Sequence, residues 1–129
     1  MTIVVGYIPT AEGERALDAA LEEARLRGTR LVVVNATRRD TYIDGRYVQE
    51  EDWQALQDRL ALADVPCTVV RPDSHHDAAT VLVDAAHEYD AQLVVLGLRR
   101  RSAVGKLLMG STAQRVLLQA PCSVLAARA

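Results

Sequence analysis

Five short runs of the chain are apolar at nearly every position: TIVVGY from Thr2, RLVVVNA from Arg30, CTVVRP from Cys67, QLVVLG from Gln92 and CSVLAAR from Cys122. A strand with one wet face alternates apolar and polar residues. Runs rich in Val, Leu and Ile without that alternation predict strands of a parallel sheet covered on both faces. Between them the period changes to that of a helix. EGERALDAALEEARLRG puts Ala16, Leu17, Ala20, Leu21 and Ala24 on one stripe and ends at Gly28 as a C-cap. EEDWQALQDRLALADV offers Trp53, Leu56, Leu60 and Ala63 for burial, and DAATVLVDAAHEY offers Ala78, Val81, Leu82, Ala85 and Tyr89. STAQRVLLQA offers Ala113, Val116, Leu117 and Ala120 before Pro121 stops it.

The predicted order is βαβαβαβαβ. With right-handed crossovers this is a three-layer α/β/α sandwich, a single domain over residues 1–129 around a five-stranded parallel Rossmann-like sheet of order 3-2-1-4-5. Ligands of such sheets settle outside the carboxyl ends of the strands where the strand order reverses, here between strands 1 and 4. The turn after strand 4 therefore occupies the default site. It carries Arg99, Arg100 and Arg101 in a row, then VGK and GST. The VGK is not a P-loop, because Arg100 and Leu107 stand where that motif needs a glycine and a Ser or Thr. Gly110 leads into the last helix with Ser111 or Thr112 as its cap, and unpaired amides at such a helix start favour an anion. The same residues equally suit an ordinary helix start beside a solvated basic loop. The stretch TRRDTYIDGRY after strand 2 is predicted as a surface loop near the same edge.

Composition narrows the function. Half the 129 residues are hydrophobic and a quarter charged, with a net charge of −2, as in a globular domain rather than a disordered chain. An acidic balance with few aromatics argues against a nucleic-acid binder. No apolar run approaches the roughly 20 residues of a membrane span, and the N-terminus enters a strand at once without the features of a secretory signal, so a cytoplasmic location is expected. Cys67 and Cys122 stand far apart beside apolar runs and are expected as reduced, buried thiols. His75 and His76, flanked by Asp73 and Asp77, lack metal spacing, and the aspartates read as helix caps. A phospho-receiver would need acids after strand 1 and an aspartate ending strand 3, and FMN binding would need a Ser/Thr-rich loop after strand 1. VGYIP and VVRP supply neither. No nucleophile and base stand out as a pair, which leaves at most a slow ATPase.

From IVVGY to APCSVLAAR the chain resembles a single-domain universal stress protein. The signature of that family is a glycine, two residues, a glycine, nine residues and then Gly-Ser or Gly-Thr; Gly97 and the pair Gly110 and Ser111 fall on its first and last elements. RSAVGKLLMGS and APCSVLA resemble the family's loop and final strand. Arg100 stands at the middle glycine, and Ile8 stands where nucleotide-binding members carry an aspartate after strand 1. The resemblance implies dimerisation through strand 5 and, in one branch of the family, ATP or AMP in the loops after strands 1 and 4, with Mg accompanying the nucleotide. By position, the residues assigned to the ligand are Gly6, Tyr7, Ile8 and Pro9 after strand 1, and Asn35 and Ala36 after strand 2. Gly97, Arg99, Arg100 and Arg101 follow from strand 4, and Gly110, Ser111 and Thr112 from the start of the last helix. The alternative is a dimeric interaction module of the same fold that holds no nucleotide. No protein partner is indicated.

Overall fold

The structure, a computed structural model, describes residues 1–35, 50–71, 77–98 and 110–128, with side chains of the second span described from Trp53 onward. Strands and helices alternate as β1 (Thr2–Gly6), α1 (Ala11–Arg27), β2 (Arg30–Val34), α2 (Glu50–Ala61), β3 (Cys67–Val70), α3 (Ala78–Glu88), β4 (Ala91–Leu98), α4 (Ser111–Gln119) and β5 (Ser123–Arg128). All strand pairs are parallel, in the order β3-β2-β1-β4-β5. β1 lies at the centre, where Val4 stands opposite Val32 on one side and Val94 on the other.

The unbroken apolar runs are explained by what covers them. Ile3, Val5, Leu31, Val33, Leu93 and Val95 pack under α1 and α2, while Val4, Val32, Val34, Val94 and Leu96 pack under α3 and α4. Chain order decides which helix takes which face. The chain steps from β1 out to β3 and then returns past β1 to β4, so right-handed crossovers put the first two helices on one face and the last two on the other. The reversal leaves the carboxyl ends of β1 and β4 side by side with helices diverging from them.

α1 follows its predicted stripe, with Ala16, Leu17, Ala20 and Ala24 buried and Gly28 closing it in the left-handed region at φ 62°. In α3 the buried residues are Ala79, Leu82, Ala85 and Ala86, so the predicted Leu82 and Ala85 lie in the core, while the predicted Ala78, Val81 and Tyr89 are half-buried. α4 departs further. Ala113 and Val116 are buried and Ala120 is half-buried, but Leu117 is exposed. Ala63 falls past the end of α2, and Trp53 is half-buried. Among the described residues no helix is long and apolar enough to cross a membrane.

Candidate functional site

The carboxyl edge begins with three strand ends tied to one another. Tyr7 continues the β1–β2 ladder, its amide donating to the Val34 carbonyl at 2.8 Å. Asn35, only 1 % exposed, donates from its side chain to the Tyr7 carbonyl at 3.0 Å and from its backbone to the Val70 carbonyl at 3.0 Å. A buried amide is tolerated when its hydrogen bonds are made, so Asn35 serves as a stitch across β1, β2 and β3. The buried Tyr7 ring sends its hydroxyl to the Glu14 carboxylate at 2.5 Å, and Arg59 of α2 forks onto Glu14 and Asp18 of α1. Both side chains assigned to the ligand at this corner are thus turned inward, with their backbones at the edge.

Beyond Tyr7 the chain turns into α1. The Thr10 amide donates to the Ile8 carbonyl at 2.8 Å, and the Thr10 hydroxyl accepts from the Gly13 amide at 3.2 Å, capping the helix. Ile8 and Pro9 are half-buried in this turn. The turn is pressed tight. A Cβ on Gly13 would lie 1.8 Å from the Ile8 carbonyl oxygen, and one on Gly97, at the end of β4, would lie 2.1 Å from the Glu12 carbonyl oxygen. Neither backbone oxygen can move aside cheaply. Gly97 therefore has a packing reason to be glycine, independent of any ligand. Gly13 was not among the residues singled out from sequence, although a glycine inside the first turn, where alanine would favour the helix by about 1 kcal/mol, is a readable signal. Gly6 faces α3, where a Cβ would meet the flexible tip of Leu82 at 2.9 Å.

α4 starts differently. Its N-cap is Gly110 itself, not Ser111 or Thr112 as predicted, because Gly110 takes the extended conformation (φ −63°, ψ 156°) and Ser111 already lies in the helix. Gly110 has no side chain to offer the first-turn amides, and among the described residues a Cβ there would meet nothing within 4 Å. Ser111 is exposed and Thr112 half-buried in the first turn. Free amides and the helix dipole make this end receptive to an anion.

Beside it, Asp77 caps α3, accepting from the Thr80 amide at 2.9 Å, and pairs with Arg115 of α4. The Thr80 amide first, and after it the Thr80 hydroxyl and the Arg115 guanidinium, hold the Asp77 carboxyl below the usual carboxylate range against the opposing effect of burial. Cys67 and Cys122 are free and half-buried, and burial pushes both thiols up. Ala36, Arg99, Arg100 and Arg101 lie outside the described residues, as do Asp73, His75 and His76. Among the described residues no group of three or more His, Cys, Asp or Glu is arranged to hold a metal ion.

Known proteins share both the sequence and this architecture. A universal stress protein of Mycolicibacterium smegmatis is 41 % identical over 98 % of this chain and 96 % of its own length. The solved structure of a universal stress protein from Archaeoglobus fulgidus superposes with a TM-score of 0.76 at 29 % identity, covering 98 % of this chain and 96 % of that one. A universal stress protein of the same organism solved in complex with dAMP superposes with a TM-score of 0.63 at 25 % identity, covering 98 % and 95 %. The sequence model of the universal stress protein family matches residues 1–128, and on that match and these relatives the chain belongs to the universal stress protein family.

Proposed function

We propose that this protein is a cytoplasmic stress-response protein that binds an adenine nucleotide, ATP or AMP, at the loops after β1 and β4. The observation that carries the reading is the start of α4: a helix N-terminus at the carboxyl edge of the sheet, with glycine at the cap and, among the described residues, no atom within 4 Å of where its Cβ would lie. The dAMP complex of the Archaeoglobus relative supports the choice of ligand class. In this reading the phosphates meet Gly110, Ser111 and Thr112, the arginines Arg99, Arg100 and Arg101 draw in the polyphosphate, and Mg accompanies ATP. The nucleoside end lies against the backbone of Gly6, Tyr7, Ile8 and Pro9, with Asn35, Ala36 and Gly97 beside it. The Ile8 side chain cannot accept a hydrogen bond where the family's aspartate does. That loss costs about 1.5 to 3 kcal/mol and points to micromolar affinity. The role is binding, with turnover no faster than a slow ATPase.

The proposed assembly is a homodimer through β5. Among the described residues β5 pairs with β4 alone, so its other edge has no strand partner, with Val124, Leu125 and Ala126 half-buried along the strand. Two copies related by a twofold axis can pair antiparallel along that edge. Sedimentation at micromolar concentration tests this: a dimer lost in Val124→Pro supports it, and a wild-type monomer refutes it.

A nucleotide-free interaction module remains the second reading, favoured by Ile8. Freshly purified protein, denatured and examined by mass spectrometry for released adenine nucleotide, separates the two, together with calorimetric titration of AMP and ATP. Folded Gly110→Val is expected to lose binding, because its side chain fills the space where backbone would meet phosphate. Wild-type protein without bound or titratable nucleotide establishes the second reading.

A further inference from the structure

α4 is a short helix with little to hold it in place. It spans Ser111–Gln119, buries Ala113 and Val116, and begins with a residue that has no capping side chain. Its lateral tie comes from Arg115, one turn into the helix. One arm of the guanidinium pairs with Asp77, and the other donates to the Thr80 hydroxyl at 3.0 Å. Both acceptors belong to the first turn of α3, where the second Asp77 oxygen is already fixed by the Thr80 amide. The acceptor side is therefore rigid. A planar fork held at two points fixes the helix in rotation as well as in distance, which a single contact cannot do.

We infer that Arg115 is a positioning residue: by forking onto Asp77 and Thr80 it locks the start of α4 against the start of α3 and so aims the amides of Ser111 and Thr112 at the phosphate. This role rests on the nucleotide reading and assigns a part of that site to a side chain that does not touch the ligand. The arrangement anchors the end of α4 from the side, and no side chain caps its first-turn amides among the described residues. At α1, by contrast, the Thr10 side chain occupies the helix end itself. Arg115 and Asp77 are both about two-fifths exposed, with side-chain exposures of 40 % and 42 %, so the pair adds little to global stability. Its effect falls on direction, where small displacements of binding groups are costly.

Calorimetric titration of AMP and adenosine into wild type, Arg115→Met, Arg115→Lys and Asp77→Asn tests it, with thermal melting in parallel. Arg115→Met is expected to weaken AMP roughly three- to tenfold and adenosine less than about twofold, with a melting temperature close to wild type. Asp77→Asn keeps a capping oxygen but loses the charge, and is expected to match Arg115→Met. Arg115→Lys restores the charge without the fork and is expected to recover part of the loss. Equal weakening of AMP and adenosine, or unchanged AMP affinity in Arg115→Met, overturns the positioning role while leaving the site reading intact. Wild-type protein that binds no AMP overturns both.

Discussion

The starts of α1 and α4 reach the same edge of the sheet and are finished in opposite ways. At α1 the hydroxyl of Thr10 takes the Gly13 amide, and two missing side chains, at Gly13 and Gly97, let the first turn press against the Ile8 carbonyl and the end of β4. That end is closed. At α4 the cap is a glycine with no described neighbour within 4 Å of its Cβ position, and a lateral tie comes from Arg115 at the flank. The glycine of one motif element, Gly97, is thus needed by the fold, whereas no contact among the described residues requires the glycine of the other, Gly110. Two residues that look equivalent in a signature answer to different physical demands.

The comparison breaks most readily at the glycines. Gly97→Ala forces a methyl group onto a backbone oxygen and is expected to cost about 3 kcal/mol in urea unfolding. Gly110→Ala, with no described atom to collide with and no positive φ to satisfy, is expected to cost less than about 1 kcal/mol. Similar losses at both positions would erase the distinction between the two helix starts.

A middle-sized effect comes from the closed end. Thr10→Ala removes the cap and is expected to destabilise by about 1 kcal/mol, with native-state hydrogen exchange rising in the first turn of α1 and not in α4. Unchanged stability would mean that packing at Gly13 and Gly97 holds that turn unaided.

The smallest effect belongs to the tie between α3 and α4. Asp77 is more acidic in the folded chain than in the unfolded one, so its contribution is complete above the unfolded value and is lost as pH falls through the folded one. The stability difference between wild type and Asp77→Asn should be constant above about pH 5 and vanish in stronger acid. Because the group is half-exposed, the difference should stay under about 1 kcal/mol. A gap that persists unchanged into acid would show that the capping geometry, and not the charge, carries it.

Much of this architecture was legible in one dimension. Each unbroken apolar run marked a strand because burial on both faces leaves no place for polar residues, and Gly28 and Asp77 marked helix ends because each answers a local backbone demand. Strand order 3-2-1-4-5, and with it the carboxyl edge expected to take a ligand, was the arrangement that strict β/α alternation suggested, and the spacing from Gly97 to Gly110 led to the family. The sequence also placed the polar stitch at Asn35 near that edge without showing what it does. What only the tertiary structure decided are the relations across layers. That Gly97 faces the Glu12 carbonyl, that Tyr7, Glu14 and Arg59 form one chain of contacts, that Leu117 of α4 is left exposed, and that Arg115 meets Asp77 from 38 positions away all depend on distances between elements. Periodicity and capping are properties of neighbouring residues and can be read along the chain. Close approach and ion pairing between helices follow from how tightly the layers settle, and that is set by the packed volume of the whole domain.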